Sequence, residues 1–386
     1  MKKNLLIITF FLSFFGHSQI IRDTLYSKKL AEKRIITISL PDSYKKDSKK
    51  TYPLLFLLDG DYLVDPFRGV LNYGNFWDDL PEVIIVGINQ NDHDERIDDC
   101  TVSTEGLPTE RGAKFFEFIG GEVMPYIENK LRINNFRIIG GHDLTAGFLN
   151  FFLYKESPLF NAFISLSPEY AMNMEERITE RLGTLKKKIF YYQAIAEGDT
   201  KEMKAQIKTL DEAIIALKSP NLNYKFEEIK NASHYSMVVR AIPNALYQFF
   251  EGFQPISNNE YTDKILVLKE GYVKYLLKRS ENLEKELGYK IPIRYNDFKV
   301  IQDAILTNKA YNELEELATL ANKTFPKKML GEYLLGQLYE NKEDYKRASK
   351  SYLNAFQMDS IGDLKKQMMM DKSDEMRSKI GKPQKK

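Results

Sequence analysis

The sequence predicts a mostly parallel α/β sheet domain followed by a small all-helical domain. Strand-like apolar runs alternate with helical patterns from residue 35 to about residue 253, and several runs are continuously apolar, which is typical of strands covered on both faces. After a polar stretch at residues 254–259 the pattern is helical only. With 386 residues, 43% of them hydrophobic, the chain is long enough for one full α/β domain and a smaller one.

The strands and helices of the first domain follow from the hydrophobic pattern in chain order. Strands are expected at residues 35–40, 54–58, 83–86, 137–139, 162–166, 189–192 and 224–226. Helices are expected between them, notably at residues 113–131, 203–217 and 237–250. This alternation favours parallel pairing, because each helix carries the chain back across the sheet.

The first residues have the layout of a secretory signal peptide. A basic start, MKKN, precedes an apolar stretch at residues 5–15 and a possible cleavage zone at residues 16–19. The apolar stretch is too short to span a bilayer, and the alternative, a buried N-terminal strand, fits the paired lysines less well. We therefore expect residues 1–19 to be a signal peptide, the protein to be exported to the periplasm or the medium, and the α/β domain to occupy residues 20–254.

Charge and composition exclude several classes of partner. The 56 basic and 54 acidic side chains nearly balance, so no long-range field attracts nucleic acid. The single cysteine, Cys100, allows no intramolecular disulfide. The loop around residues 92–99 is rich in Asp, Glu and His but lacks a fixed ligand spacing, so a solvated loop is favoured over a metal site. No metal, no cofactor and no membrane-spanning segment are expected.

The second domain is expected at residues 260–375 and fits a tetratricopeptide-like pattern in one 34-residue unit. Small and aromatic residues stand at the required offsets, namely Gly336, Tyr339, Ala348, Tyr352 and Ala355, and the preceding unit ends with Ala321 and Pro326 in register. The alternative is an ordinary amphipathic helical hairpin. Such helices are candidates for binding a protein partner, and residues 376–386 are expected to be a basic tail.

A glycine-bounded turn, GHDLTAG over residues 141–147, follows the predicted strand at 137–139. A strand, a sharp turn and a following helix, expected at residues 148–154, are typical of the nucleophile elbow of α/β-hydrolases, in which G-x-S-x-G lifts a serine oxygen above the sheet. Asp143 takes the place of the serine, and Thr145 takes the place of the second glycine. The motif therefore predicts a hydrolase framework whose reacting atom has changed.

From about residue 30 to residue 253 the chain resembles the putative-esterase family of α/β-hydrolases, which includes enterochelin-esterase-like and esterase-D-like proteins. The resemblance rests on several motifs together: LPDSY at 40–44, YPLLFLLDGD at 52–61, VGI at 86–88, RIDDCT at 96–101, residues 115–125, GHDL at 141–144 and SP at 167–168. It implies an α/β-hydrolase fold and an ester-like ligand. Some members carry C-terminal tetratricopeptide-like helices, which agrees with the predicted second domain.

The resemblance also implies a triad in the chain order nucleophile, acid, histidine. Asp143 stands at the nucleophile position, and His234 follows a strand and precedes a helix, where the family places its base. Asp199 is expected to be the acid, with Glu197 as the close alternative. Without the surrounding motifs, His234 would be interpreted as a solvent-facing loop histidine.

The oxyanion hole of the family would combine the backbone N–H of Leu144 with one from the loop that holds Asp61 and Tyr62. Backbone donors do not depend on side-chain identity, so this hole could survive the loss of the serine. The alternative is that the loop is a plain strand-ending turn. Arg96 and Asp99 match family positions near the site entrance, or form an ion pair with each other that fixes their loop.

The carboxylate at position 143 changes the expected chemistry. Attack of Asp143 on an ester would form an anhydride, which is more reactive than the ester, so ordinary ester hydrolysis is disfavoured. The carboxylate is expected either to fold onto the oxyanion donors or to pair with His234, which would then hold its proton more tightly and be a poor general base. Thr145 also suggests that a tight elbow is no longer required.

Three hypotheses follow for the function. The first is an exported pseudo-esterase that acts by binding a ligand or a protein partner. The second is an active hydrolase in which Asp143 attacks the carbon of an epoxide or halide and His234, with Asp199, activates water. The third is a residual esterase in which His234 activates water directly. The first is preferred to the second, and the third is the least favoured.

Overall fold

The computed structural model describes residues 20–90 and 93–380. The predicted signal peptide, residues 1–19, lies outside the described residues, as does the end of the predicted basic tail, residues 381–386. Contacts between residues divide the chain into two compact units. Among the described residues, unit 1 comprises 20–73, 82–90 and 93–245, and unit 2 comprises 74–81 and 246–380.

Unit 1 contains an eight-stranded sheet in the order β1-β2-β4-β3-β5-β6-β7-β8. Its strands are β1 (Ile20–Ser27), β2 (Glu32–Ser39), β3 (Tyr52–Leu57), β4 (Ile84–Ile88), β5 (Ile133–His142), β6 (Ala162–Leu166), β7 (Ile189–Ala196) and β8 (Leu222–Ile229). β1 pairs antiparallel with β2, and β2 pairs antiparallel with β4, whereas all other neighbours are parallel. The predicted fold class is therefore confirmed.

All seven predicted strands are present, and β1 is an addition at the edge of the sheet. β3, β4, β6 and β7 are buried along their whole length, which explains why continuous apolar runs predicted them. β1 has the mixed sequence IIRDTLYS and is mostly exposed or half-buried. An edge strand of this kind has little apolar signal, so periodicity could not find it.

Eight helices surround the sheet in the described part of the chain up to residue 249. They are α1 (Gly60–Phe76), α2 (His93–Asp99), α3 (Glu110–Phe118), α4 (Met124–Lys130), α5 (Leu144–Phe148), α6 (Met174–Gly183), α7 (Lys201–Leu217) and α8 (Ser236–Phe249). The helix predicted at residues 113–131 consists of α3, a π turn at Ile119–Val123 and α4. The helix predicted at residues 148–154 starts earlier, as α5, and continues as a 3-10 turn at Leu149–Leu153.

The site is positioned by sharp turns at the carboxyl ends of three adjacent parallel strands. Asp59 follows β3 with φ 55°, Asp143 follows β5 with φ 60°, and Ser167 follows β6 with φ 43°. Positive φ is uncommon for residues other than glycine and marks a backbone that its surroundings hold in place. The three turns lie at one edge of the sheet, where α/β proteins bind their ligands.

Unit 2 is helical from residue 258 onward. Its helices are α9 (Asn258–Glu260), which leads into a π turn at Tyr261–Ile265, then α10 (Tyr272–Leu287), α11 (Tyr295–Thr307), α12 (Glu313–Thr324), α13 (Leu330–Asn341), α14 (Tyr345–Gln357) and α15 (Lys366–Lys379). A Cβ at Gly336 of α13 would lie 2.4 Å from the ring of Tyr352 on α14, which explains the small residue at this position.

The first residues of the predicted basic tail, 376–379, are helical. α15 continues to Lys379, because the fully buried Met376 anchors its last turn in the helical core. In the described ranges, 20–90 and 93–380, no helix combines the length and the apolar character that a bilayer span requires.

Candidate active site

The turn after β5 keeps the geometry of a nucleophile elbow. Asp143 has φ 60° and ψ −122°, and α5 begins at the next residue. A Cβ at Gly141 would lie 2.8 Å from the backbone carbon of Thr145, and one at Gly147 would lie 1.9 Å from the carbonyl oxygen of Glu169. These approaches leave room for glycine only, so the turn is still tight.

Thr145 is part of this tight turn, and the expectation that it relaxes the elbow is wrong. Its side chain is fully buried, and its hydroxyl donates to Asp59 Oδ2 at 2.5 Å. The hydroxyl oxygen of Thr145 also accepts a hydrogen bond from the backbone N–H of His142 at 3.0 Å. The threonine thus replaces the flexibility of glycine with hydrogen bonds that hold the turn.

His234 and Asp199 form the acid–histidine pair of a triad. His234 Nδ1 lies 2.7 Å from Asp199 Oδ1. The other carboxylate oxygen of Asp199 accepts from Ser167 Oγ and from the backbone N–H of Ala196, each at 2.7 Å. Asp199 is therefore buried with both oxygens in use, and it fixes the orientation of the imidazole ring.

Of the two candidate acids, Asp199 is the one that contacts the ring of His234. Glu197, the alternative, accepts the backbone N–H of Asn231 at 2.7 Å, and its role is to hold the loop that precedes His234. Asp199 is the carboxylate in contact with the ring. The acid predicted from the sequence is the one that the geometry favours.

The Asp143 carboxylate lies between two positively polarised groups. Its Oδ1 is 3.7 Å from His234 Nε2, and its Oδ2 is 3.2 Å from Arg96 Nη1. It makes no capping hydrogen bond to α5. Of the two arrangements expected for this carboxylate, the pair with His234 is present, and folding onto the helix N–H groups is not.

Arg96 is the centre of the site's ion pairs. Its Nε and Nη2 contact both oxygens of Asp59, at 2.6 and 3.2 Å. Nη2 also donates to the carbonyl oxygen of His142 at 2.7 Å, and Nη1 contacts Asp143. Every nitrogen of the guanidinium group is therefore engaged inside the site, and Arg96 lies at the site as predicted.

The predicted ion pair of Asp99 with Arg96 is wrong, and the position of Asp99 near the site entrance stays a prediction. Asp99 is fully buried and contacts Arg34 Nη2 at 2.6 Å and Arg111 Nε at 3.2 Å. Residues three apart on a helix can face each other, but these two side chains of α2 take part in separate ion-pair networks because each has other charged partners across the fold. Asp99 anchors α2 to β2 and α3. Arg96 forms its ion pair with Asp59 instead.

The oxyanion hole implied by the resemblance is altered on one side. The backbone N–H of Tyr62 donates to the carbonyl oxygen of Asp59 at 3.2 Å, so it is not a free donor and this part of the prediction is wrong. The Asp61 carboxylate accepts from Asn89 and from the backbone of Gln90, which ties the loop to the end of β4. The backbone donors at Leu144 and Asp61 stay a prediction.

The environment shifts the pKa values of the two histidines of the site in opposite directions. The hydrogen bond to Asp199 raises the pKa of His234, and the Asp143 charge adds to the effect. Burial lowers the pKa of His142 to about 4, and the neighbouring His234 contributes. Although burial works to raise it, hydrogen bonds from His234, Ser167 and the Ala196 backbone lower the pKa of Asp199. His234 thus holds its proton more tightly than an ordinary histidine, as expected from its two carboxylate neighbours.

Two residues of the site were missed by the sequence analysis, Asp59 and His142. Asp59 was considered only as part of a turn, although its position at the carboxyl end of a predicted strand was a usable signal. His142 lies inside the elbow motif, with Nε2 3.2 Å from the carbonyl oxygen of His234. No sequence pattern distinguishes such a packed histidine from a catalytic one.

Among known families, the one described as putative esterase matches residues 27–216, which include the elbow, Arg96 and Asp199. The α/β part of this chain is therefore similar to the putative esterase family. A search among curated proteins finds no match to the chain. The similarity agrees with the retained elbow and with the order of the triad positions.

Solved structures of similar fold cover more of the chain. An uncharacterised protein from Capnocytophaga ochracea has 25% identity and a TM-score of 0.81, over 93% of this chain and 100% of that one. An IroE-like serine hydrolase from Shewanella oneidensis has 20% identity and a TM-score of 0.60, over 79% and 99%. The BES protein from Bacillus cereus has 22% identity and a TM-score of 0.51, over 64% and 97%. The last two likenesses show that the α/β-hydrolase fold is shared.

Proposed function

We propose that this protein, which is similar to the putative esterase family, is a pseudo-esterase, which binds a small molecule at the Asp143 site without hydrolysing an ester. The observation that carries the proposal is the position of the Asp143 carboxylate between Arg96 and His234. A serine esterase needs a hydroxyl in this place that the histidine can deprotonate. The carboxylate has no proton to give, and its attack on an ester would yield an unstable anhydride.

The state of His234 supports the same conclusion. A general base must accept a proton near neutral pH, and its efficiency is highest when its pKa lies near the operating pH. Asp199 and Asp143 both stabilise the protonated imidazole, and their combined effect raises the pKa of His234. The raised pKa makes His234 a weaker base for activating water, which also argues against the residual-esterase hypothesis.

A second candidate, the Asp143 nucleophile, is favoured by one observation. Asp143 Oδ1, His234 and Asp199 are arranged in the order that a carboxylate attack on an epoxide or halide carbon requires. Against it, Asp143 Oδ2 is held by Arg96, and this ion pair lowers the nucleophilicity of the carboxylate. We therefore rank this activity below ligand binding.

One set of assays separates these functions. The purified protein, Asp143→Ser and His234→Ala are compared on short p-nitrophenyl esters, on epoxides and on haloalkanes. The proposal expects no turnover by the unmodified protein on any of them. Ester turnover by the unmodified protein that His234→Ala abolishes would overturn it.

Mass spectrometry of intact protein after incubation with epoxides or haloalkanes tests the second candidate. A covalent adduct on Asp143 that disappears in Asp143→Asn would establish the nucleophile and reject the binding function. Ester hydrolysis that appears only in Asp143→Ser would show that the rest of the machinery is functional and that position 143 alone removes the activity.

Export and a protein partner are further parts of the proposal. The signal-peptide pattern at residues 1–19 supports export, and cell fractionation with N-terminal sequencing tests it, because cleavage in the expected zone leaves a chain that begins near Ile20. The paired helices of unit 2 support binding of a protein by that unit. Retention of the full precursor in the cytoplasm would contradict the export proposal.

A further inference from the structure

Four aromatic rings line one side of the Asp143 site. We call Tyr62, His142, His234 and Tyr235 the aromatic wall. The ring of His142 is 4.5 Å from that of His234, and it meets Tyr62 and Tyr235 edge to face, each at 6.1 Å between centroids. Tyr235 also meets His234 edge to face at 5.2 Å. The rings therefore form one continuous cluster.

The two tyrosines of the aromatic wall are unusually open to solvent. Tyr235 is 78% exposed and Tyr62 is 44% exposed, although both touch the buried His142. Large aromatic side chains gain stability by burial, so rings left open beside an active-site elbow indicate a surface that a ligand covers. Burial lowers the pKa of His142 to about 4, so this ring of the wall is uncharged at neutral pH.

The charges of the site leave one carboxylate in excess. Arg96 contacts Asp59 through two nitrogens, and His234 is hydrogen-bonded to Asp199. Asp143 is the additional anion, so the carboxylates outnumber the cations of these five residues even when His234 carries a proton, and the Asp143 side chain is 27% exposed. All three guanidinium nitrogens of Arg96 already have acceptors, so Arg96 is not a free partner for an anionic ligand.

We propose that the Asp143 site binds a small organic ammonium ion, with its positive charge at the Asp143 carboxylate and its apolar body against the aromatic wall. Aromatic faces attract ammonium groups through their electron-rich surface, and a nearby carboxylate completes the recognition. Replacement of a neutral serine by Asp143 supplies that carboxylate. This inference rests on the proposed binding function, and it names the chemical class of the ligand.

Calorimetric titration with benzyltrimethylammonium tests the inference on the full chain. Benzyl alcohol and benzoate serve as the neutral and anionic probes. The ammonium probe is expected to bind measurably at millimolar concentration, and benzoate is not. Affinity is expected to fall as the pH is lowered, because His234 takes up a proton that the cation opposes.

Variants locate the binding. Tyr235→Ala is expected to weaken binding about tenfold, whereas Tyr235→Phe, which keeps the ring, stays within about twofold. Tyr26→Ala on β1 is the matched control, because Tyr26 is 59% exposed and lies on the edge strand. Asp143→Asn is expected to weaken binding about tenfold.

The outcomes distinguish this inference from the proposed function. Equal binding of benzoate and the ammonium probe, equal losses in Tyr235→Ala and Tyr26→Ala, or no binding of the ammonium probe would each overturn the inference. None of these results affects the pseudo-esterase proposal, which stands or falls on turnover. Conversely, ester turnover by the unmodified protein would overturn the proposed function even if the ammonium probe binds.

Discussion

Replacement of Thr145 by valine tests how the elbow is held. The change keeps the shape of the side chain and removes the hydroxyl that donates to Asp59 and accepts from the His142 backbone. A hydrogen bond to a charged group contributes about 1.5–3 kcal/mol, and a buried N–H left without a partner costs about 1–3 kcal/mol. Asp59 retains its contacts with Arg96 and Tyr62. We therefore expect a loss near the lower end of the sum, about 3 kcal/mol.

Cys100 gives an assay that is specific to unit 1. It is the only cysteine of the chain and is 7% exposed, so a thiol reagent modifies it when unit 1 opens. If reclosing is faster than modification, the rate follows the opening equilibrium. A loss of about 3 kcal/mol corresponds to roughly 100-fold faster labelling, since 1.36 kcal/mol is a factor of ten.

Two further variants control this experiment. Thr145→Ser keeps the hydroxyl and loses one buried methyl group, and about 1 kcal/mol, or roughly fivefold faster labelling, is expected. Thr179→Val removes a hydroxyl that is bonded only within α6, to the Glu175 carbonyl, and little change is expected. Labelling of Thr145→Val within about fivefold of the unmodified protein would refute the claim that this hydroxyl holds the turn.

Three other predictions concern the histidines and the elbow. Asp199→Asn is expected to lower the pKa of His234, because the hydrogen bond to this carboxylate raises it, whereas Glu197→Gln leaves it unchanged in a proton NMR titration. His142 has a pKa of about 4 against the ordinary 6.5, so the unfolded chain binds more protons in this window and the free energy of unfolding falls as the pH is lowered. Over this pH window, the free energy of unfolding of His142→Gln should therefore decrease by about 3 kcal/mol less than that of the unmodified protein. Gly147→Ala is expected to destabilise unit 1 by about 3 kcal/mol or more, measured by Cys100 labelling.

Each of these predictions has its own contrary result. Equal effects of the Asp199 and Glu197 variants would show that the pairing with His234 is not formed in solution. For His142, the pH dependence of the free energy of unfolding is compared between His142→Gln and the unmodified protein. This comparison is needed because the raised pKa of His234 changes the stability with pH in the opposite direction in both proteins. The same pH dependence in the two proteins would contradict the prediction. Gly121→Ala is the control for Gly147→Ala, because nothing lies within 4 Å of a Cβ at Gly121.

The sheet could be predicted from the sequence because burial on both faces leaves a continuous apolar signal. That signal is strong in β3 and β7, which are buried throughout. It is weak in β1, whose outer edge faces solvent. α1 was missed for another reason: it contains Pro66 and two internal glycines, so its composition resembles a loop although its apolar face packs in the core.

The site could be predicted in part, because chain order and the family resemblance place Asp143, Asp199 and His234. Which cation pairs with which carboxylate could not be predicted. Arg96 and Asp99 are three residues apart and carry opposite charges, so the sequence alone suggests that they pair. In the fold, Asp99 is buried beside Arg34, and this burial determines the partners. Pairings of this kind depend on distances across the fold, which local sequence does not encode.

The elbow geometry at Asp143 does not by itself distinguish an active from an inactive site. Its unusual φ and ψ are held by backbone hydrogen bonds: the N–H of Asp143 donates to Leu166, and its carbonyl accepts from Gly147 and Glu169. None of these bonds involves the side chain, so the strained turn persists whatever residue occupies position 143. The functional difference therefore lies in the partners of the side chain. Arg96 and His234 both lie beside the Asp143 carboxylate, and position 143 carries no hydroxyl that a base could convert into a nucleophile.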